Sequence, residues 1–484
     1  MEPVTVMIAG KILEFGIEKV CEKVLSGIGS KLNRSDLEKA LKISVKTACE
    51  KEDRLFYRCQ NDGLKGTTKF LNQFLIEKAI EELQKPLKNE GNLDIEFLTK
   101  AFIQEAKNHS EMQKIEESCV KPWMKVFVST YFENTNTYIK FQVAKEDYLK
   151  QLANWFDDVK FAGISVPGQE VEKSEKLAQI FVMPDVEEDV RRKDYPVITN
   201  EAKWKDVIYD KSLGKRQQEL LLEQRQQALI NGSGNKFLAS KLLTQSDSIK
   251  FVLLGAPGSG KTTFLSYFAV IVAQNKVEKL GLNPDIDYLP ILIRMRDLSR
   301  LGEISILDYA KQFAEKDLLV KNLPEGFFEY WLSEGRALIL LDGLDEIAEE
   351  SKRYKVVQRI DNFLGKFQHN IAIITSRPAG YKRDFFRTEE FPHYELLAFN
   401  DEKVEEFIHR WYDSRFQDKA EAERRKESLR KALNNNQRIK LLARNPLLLT
   451  IIALIHRYQA VLPKERHKLY DKAVETLITS WDAN

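Results

Sequence analysis

Apolar side chains in the first third of the chain recur every three to four residues, which is the spacing of one helix face. The first such run consists of Leu13, Ile17, Val20, Val24 and Ile28. Ser35 and Glu38 form a capping box at the start of the second predicted helix. Because this periodicity continues almost without interruption, we predict an all-helical N-terminal domain over residues 1–162.

A different pattern begins near residue 236, where short apolar runs of strand length alternate with longer segments. These runs are Ile249 to Leu254, Leu289 to Arg294, Ala337 to Leu341, Asn370 to Thr375 and Tyr394 to Leu397. Each of the first four is followed by a segment long enough for a helix, which indicates βαβ crossovers. We therefore predict an α/β domain over residues 236–398, with a parallel sheet between two helical layers.

Two regions flank the predicted α/β domain. Residues 163–235 mix proline- and glycine-containing turns with a Gln/Glu/Arg-rich segment, and we interpret them as a connecting region. From residue 399 the pattern is helical again and includes an apolar run from Pro446 to Ile455. It predicts a small helical domain over residues 399–484.

Charge and composition narrow the possible functions. The 484 residues include 75 Lys and Arg against 73 Asp and Glu, so the net charge of +2 gives no overall field that would attract nucleic acid or an anionic membrane. No uninterrupted apolar run reaches about 18 residues, and the start lacks the basic region of a signal peptide. The four cysteines show no zinc-ligand spacing. We predict a cytoplasmic protein with reduced thiols.

The strongest chemical signal is a complete phosphate-binding loop between a predicted strand and a predicted helix. It reads Gly255-Ala256-Pro257-Gly258-Ser259-Gly260-Lys261-Thr262, followed by Thr263. Glycines let backbone N–H groups converge on a phosphate, and the helix N-terminus adds its dipole. Lys261 is predicted to bind the β and γ phosphates and Thr262 to bind Mg²⁺.

Acidic residues end the third predicted strand, and an arginine follows the fourth. Since the carboxyl ends of parallel strands meet at one edge of the sheet, Asp342 is the natural second ligand of Mg²⁺. Asp345 or Glu346 is predicted to polarise the attacking water, and the choice between them stays open. Arg377, after its strand, is predicted to sense the γ phosphate.

Taken together, these residues resemble the NACHT family of STAND NTPases, nucleotide-dependent switches that include animal immune receptors and bacterial antiphage proteins. The resemblance covers about half of the chain, and its marks are Leu289-Pro290-Ile291, Arg296-Asp297-Leu298, Asp342-Gly343-Leu344-Asp345-Glu346, Thr375-Ser376-Arg377-Pro378 and Arg444-Asn445-Pro446-Leu447-Leu448. It implies ATP or ADP with Mg²⁺ on the residues named above, and Pro446 against the adenine.

The resemblance also carries expectations about the whole protein. It implies an N-terminal adaptor or effector module, self-assembly into a homo-oligomer on activation, and an activating ligand that the sequence does not identify. It favours a bacterial antiphage protein. Family members normally continue into a winged-helix domain and a sensor region, whereas this sequence ends after the predicted helical domain.

We therefore predict a slow ATPase that acts as a switch, inactive with ADP and ready to assemble with ATP. Two other classes of function remain open. One is an AAA-like motor acting on nucleic acid or protein, and the other is a scaffold in which the nucleotide is structural. A small-molecule kinase is less favoured, because no acceptor-binding motif accompanies the P-loop.

Overall fold

The computed structural model describes residues 17–26, 34–56, 64–88, 90–112, 115–160, 174–189, 234–245 and 248–459. The chain divides into two compact units, Met1–Asp147 and Tyr148–Asn484. Most of the predicted connecting region and the end of the predicted helical domain lie outside the described residues.

The described residues of the first unit form helices and the turns that connect them, while the short strand Asp158–Lys160 lies inside the range predicted to be all-helical. Its helices are α1 (Ile17–Ser26), α2 (Arg34–Lys51), α3 (Leu64–Glu77), α4 (Ile80–Gln84), α5 (Ile95–Lys107) and the larger part of α6 (Glu117–Phe156). The predicted apolar face of α1 is buried at Ile17, Val20 and Val24. Aromatic rings fill the interior, and Phe70 packs edge-on against Phe102 with 4.9 Å between ring centroids.

The second unit is built on a seven-stranded sheet. Two short strands, β1 (Asp158–Lys160) and β2 (Ser174–Lys176), form a separate antiparallel pair. The main sheet contains β3 (Asp185–Glu188), β4 (Lys236–Leu238), β5 (Lys250–Leu254), β6 (Leu289–Arg294), β7 (Ala337–Asp342), β8 (Ile371–Ser376) and β9 (His393–Leu396). The strand order is β4-β3-β9-β5-β8-β7-β6.

The five predicted strands are confirmed, and they run parallel as β9-β5-β8-β7-β6. Strands β3 and β4 add an antiparallel edge to them. Strand β3 comes from the segment that sequence reasoning interpreted as a connector. Only Val186 of its four residues is fully buried, so β3 lacks the continuous apolar run that identified the central strands.

Helices cover both faces of this sheet. The helices before the last strand are α7 (Leu177–Ile180), α8 (Leu242–Gln245), α9 (Lys261–Ala273), α10 (Met295–Arg300), α11 (Ile306–Gln312), α12 (Phe327–Ser333) and α13 (Glu350–Lys366). The β5-to-β6 connection crosses the sheet in one direction, and the next two connections return in the other. Because such crossovers are right-handed, α9 lies on one face and α13 on the opposite face. This placement gives the predicted three layers, with the sheet between two layers of helices.

The connection from β8 to β9 differs from the predicted pattern. A helix-length segment follows β8 in the sequence, but the structure has only a short turn at Pro378–Gly380 and irregular chain up to β9. Gly380 disfavours a regular helix there, whereas Pro378 is the first residue of the turn, a position where proline is tolerated.

A helical bundle follows the sheet, as predicted. It comprises α14 (Asp401–Asp413), α15 (Lys419–Asn434), α16 (Gln437–Leu442) and α17 (Pro446–Gln459). Ile180 and Val182, which precede β3, share its core with Trp411 and Ile452. Across the ranges described, no helix is both long enough and apolar enough to cross a membrane.

Candidate functional site

The P-loop lies where the sequence predicted it, between the end of β5 and the start of α9. Gly258 and Gly260 have positive φ angles of 74° and 90°, which residues with a side chain rarely adopt. Gly260 directly precedes α9, so the loop turns sharply into the helix. At its other end, the Gly255 N–H donates to Ser376 O at 3.2 Å and joins the loop to β8.

Lys261 is the first residue of α9 and bends back over the loop. Its Nζ donates to Gly255 O at 2.7 Å and to Ala256 O at 3.2 Å. Burial lowers the pKa of Lys261, while the charges of nearby acids oppose that shift. The groups whose charges act on it are Asp345, Arg377, Asp342 and Glu346. The structure therefore brings together the charged residues that the sequence singled out.

Asp342 ends β7 and is 7% exposed. The Thr375 hydroxyl on neighbouring β8 donates to Asp342 Oδ1 at 2.7 Å and accepts from the Gly343 N–H at 3.0 Å. Burial raises the pKa of Asp342, and hydrogen bonds from Thr375 and Thr262 oppose the rise. Asp342 therefore lies close to Thr262, the P-loop residue that was predicted to share its metal ion.

Asp345 forms both a hydrogen bond and an ion pair with Arg377. Its Oδ1 accepts from the Arg377 N–H at 2.8 Å, and its Oδ2 lies 3.0 Å from Arg377 Nε. A Cβ on Gly380 would lie 2.5 Å from Asp345 Cβ, so the turn after β8 packs closely on this residue. The Asp345 side chain is only 10% exposed. It fixes both the backbone and the side chain of the predicted sensor arginine.

Glu346, the next residue, has a different environment. Its side chain is 41% exposed, and its Oε2 lies 3.9 Å from Arg296 Nε. Partial burial raises the pKa of Glu346, as does the charge of Asp342, whereas Arg296 opposes the rise. A carboxylate that is accessible and made more basic suits proton transfer better than one held in a close ion pair.

The start of α17 contacts the P-loop from the helical bundle. The Leu447 N–H donates to Gly258 O at 3.3 Å, and Asn445 Nδ2 donates to Pro257 O at 3.0 Å. Pro446 lies between these two contacts in the chain and is partly exposed beside the loop. Thr262 and Thr263 are exposed on the first turn of α9.

These residues suit a nucleoside triphosphate with Mg²⁺. Ser259 Oγ is buried and has no hydrogen-bond partner within the described ranges, and a Cβ on Gly260 would meet no atom within 4 Å. The loop thus offers an unused polar atom and open space beside its backbone. Thr262 and Asp342 would offer oxygen ligands of the kind that Mg²⁺ prefers.

Sequence reasoning gave no role to three residues that shape this site. Thr375 bridges β7 and β8, and its position opposite Asp342 follows only from strand order. Arg353 on α13 donates to Ile347 O at 2.6 Å and to Gly380 O at 2.8 Å, joining the loops after β7 and β8. Asn445 lies in a motif that the sequence identified, although the sequence did not show that its side chain contacts the P-loop.

A cavity of about 1020 Å³ lies elsewhere, at the amino end of β5. Its lining includes Lys236, Lys250 and Glu390. The P-loop, Asp342 and Arg377 follow the carboxyl ends of their strands, where ligands of parallel α/β sheets bind. We therefore assign the candidate site to the P-loop edge.

Comparison with protein families matches residues 250–415 to the NACHT domain and residues 8–166 to the NACHT N-terminal Helical domain 2. A comparison with curated proteins found no match. The first match spans the P-loop, the strand ending at Asp342 and the arginine after β8. The chain is therefore a NACHT-domain P-loop NTPase of the STAND type, with a NACHT N-terminal helical domain ahead of its nucleotide-binding domain.

Proposed function

We propose that this NTPase binds ATP and ADP with Mg²⁺ at the P-loop and acts as a switch that hydrolyses ATP slowly. The observation that carries the proposal is the direct hydrogen bonding of the P-loop backbone to the first turn of α17. Since α17 packs in the core of the helical bundle, this contact supports a route by which a change in the loop would reach the bundle.

Each residue of the site has its own role in this proposal. The P-loop backbone, from Gly255 to Thr263, and Lys261 bind the phosphates. Thr262 and Asp342 would hold Mg²⁺, which would supply neutralisation of charge on the phosphates. Glu346 accepts the proton of the attacking water. Pro446 packs against the adenine, as the family resemblance implies.

Arg377 is the sensor in this proposal, and Asp345 positions it. A γ phosphate competes with Asp345 for the guanidinium, because both are oxygen anions that accept from its N–H groups. The presence of ATP therefore changes the turn after β8, which Asp345 otherwise holds through the Arg377 N–H as well. ADP lacks the group that competes.

A switch of this kind must discriminate strongly between its two nucleotides. Reversing a population from 1:99 to 99:1 takes about 5.5 kcal/mol of differential binding. Charge-assisted hydrogen bonds contribute about 1.5–3 kcal/mol each, so contacts of one γ phosphate with Lys261 and Arg377 supply part of that difference, reduced by the loss of the Arg377–Asp345 pair. ATP as the activating nucleotide is consistent with this arithmetic.

We further propose that the ATP-bound protein assembles with copies of itself in the cytoplasm and signals in antiviral defence, with the N-terminal helical domain as adaptor or effector. Membership of the NACHT family supports this role. A direct check is phage plating on bacteria that express the wild-type chain or Lys261→Ala. Protection that requires Lys261 supports the role, and equal plating with and without the wild-type chain opposes it.

The first test of the switch is to identify the nucleotide that co-purifies with the protein, by denaturation and chromatography. Stoichiometric ADP is the expected result, because a switch holds its inactive nucleotide tightly. Lys261→Ala should purify without nucleotide, since it removes the charge that binds the phosphates. Lys276→Ala, which changes an exposed lysine just beyond α9, serves as the matched control and should retain ADP. An empty wild-type site with rapid ATP turnover would instead indicate a motor.

A further inference from the structure

The Asn445 side chain uses both of its polar atoms between the P-loop and α17. Its Nδ2 donates to Pro257 O at 3.0 Å, and its Oδ1 accepts from the Leu448 N–H at 3.2 Å. The second bond caps the N-terminus of α17. One amide group therefore joins the nucleotide-binding loop to a helix of the bundle.

A second hydrogen bond and a close approach support this connection. The Leu447 N–H donates to Gly258 O at 3.3 Å, so two successive P-loop carbonyls are bound to the same helix start. Gly258 has a φ of 74°, and a Cβ there would lie 2.8 Å from Asn445 Oδ1. Any larger residue at position 258 would displace Asn445.

The bond to Pro257 O also fixes the direction of an N–H group. A peptide bond is planar and trans, so its C=O and N–H point in opposite directions. Because Asn445 holds the Pro257 carbonyl towards α17, the Gly258 N–H points away from α17. Backbone N–H groups of this loop are the groups that bind phosphate.

The other side of the contact is firmly anchored. Leu449 and Ile452 of α17 are fully buried in the core of the bundle, together with Trp411. The Phe399 N–H donates to Arg444 O at 2.9 Å and holds the chain just before Asn445. Asn445 therefore extends from a rigid support to the loop.

We propose that Asn445 is a positioning residue that orients the P-loop peptide between Pro257 and Gly258 for phosphate and so couples bound nucleotide to α17. This inference rests on the proposed nucleotide binding. An asparagine suits the role because its amide donates to one partner while accepting from the other. Aspartate retains the acceptor that caps α17 and lacks the donor, so Asn445→Asp separates the two contacts.

The matched control is Asn400→Asp. Asn400 caps α14 in the same bundle by accepting from the Lys403 N–H at 2.9 Å, and aspartate caps a helix as well as asparagine does. Both variants should therefore fold with unfolding midpoints close to that of the wild type. Asn445→Asp also removes a contact with the P-loop, whereas Asn400→Asp does not change a contact of that kind.

Two readouts decide the proposal: ADP affinity by titration calorimetry with Mg²⁺, and amide hydrogen exchange of the segments 255–263 and 446–455 with and without ADP. We expect Asn445→Asp to lose about tenfold in ADP affinity, because a hydrogen bond is replaced by repulsion between a carboxylate and a carbonyl. In the wild type and in Asn400→Asp, ADP should slow exchange in both segments. In Asn445→Asp it should no longer slow exchange at the start of α17.

Unchanged ADP affinity in Asn445→Asp would overturn the proposal, as would ADP-dependent protection of α17 equal to that of the wild type. A general loss of protection in both variants would also overturn it, by making Asn445 merely a helix cap. If the wild type bound no ADP, the proposed nucleotide binding would fail instead. Exchange of segment 255–263 in the nucleotide-free variants would still show whether Asn445 fixes the loop.

Discussion

Asp345 and Glu346, two adjacent acids in the turn after β7, show how much residue identity alone can predict. Asp345 and Glu346 are equivalent candidates in the sequence, because each follows Asp342 at a distance that a short turn can accommodate. Their environments distinguish them, since Asp345 is bound twice by Arg377 whereas Glu346 is accessible and has a raised pKa. The sequence could not separate them because Arg377, the partner of Asp345, lies just after the next strand.

We predict that Glu346→Gln lowers the rate of ATP hydrolysis by about a hundredfold or more, which is the usual contribution of a general base. ATP affinity should remain, because glutamine has nearly the same shape. Asp345→Asn should keep most of the chemistry and raise the preference for ATP over ADP, since it removes the carboxylate that competes with the γ phosphate for Arg377. Single-turnover hydrolysis and the two affinities measure this. The opposite result, with turnover abolished only in Asp345→Asn, would exchange the two roles.

Thr375 provides a second test at the residue scale. Valine at this position has a similar shape and lacks the hydroxyl that donates to Asp342 and accepts from the Gly343 N–H. Leaving such buried groups unpaired costs about 1–3 kcal/mol, so Thr375→Val should lower the free energy of unfolding by that amount. It should also weaken Mg²⁺-dependent ADP binding, because Asp342 loses a bond that favours its charged form. Thr375→Ser should restore both properties.

At the scale of elements, the sequence predicted the strands that are buried on both faces of the sheet. Strands β5 to β8 are nearly continuous apolar runs because both of their faces are covered, whereas β9 includes His393 and Glu395. Strands β3 and β4 could not be found in this way, since they are short edge strands of mixed polarity. The segment after β8 is long enough for a helix, but length alone does not distinguish a helix from irregular chain, and Gly380 disfavours a helix there.

The stability of the helical bundle should depend on pH through His456 of α17. His456 is 1% exposed, with Nδ1 2.7 Å from Tyr412 Oη and Nε2 3.0 Å from Ser428 Oγ. Burial lowers its pKa from 6.5 to about 4, and the charge of Arg425 acts in the same direction. The folded protein therefore favours the neutral ring, while the unfolded chain binds a proton below about pH 6.5. The stabilisation is present above that pH and is lost as the pH falls towards 4.

We predict that His456→Gln reduces the difference in unfolding free energy between pH 7 and pH 5 by about 1–2 kcal/mol. Urea titrations at the two pH values measure this difference. His369→Gln is the control, because His369 is exposed and should contribute little. Equal pH dependence in the wild type and His456→Gln would show that the ring does not carry the effect.

At the scale of the whole molecule, the decisive contact joins distant parts of the chain. Asn445 and Pro257 are 188 residues apart, and no periodicity or local motif predicts that they meet. The sequence did identify the helical bundle and the motif that contains Asn445. What it lacked was the packing of α17 against the loop, which depends on the core that both ends of the second unit build together.

The same contact gives the last prediction, which concerns ATP and ADP in the intact protein. If the γ phosphate draws Arg377 from Asp345 and the P-loop transmits the change to α17, the two nucleotides should give different sedimentation distributions. We expect a monomer with ADP and larger species with ATP, measured in Glu346→Gln so that ATP persists. Lys261→Ala should give one distribution with either nucleotide. Identical distributions in Glu346→Gln with full ATP occupancy would exclude the switch and favour a nucleotide-stabilised scaffold, because occupancy alone would then have no effect on assembly.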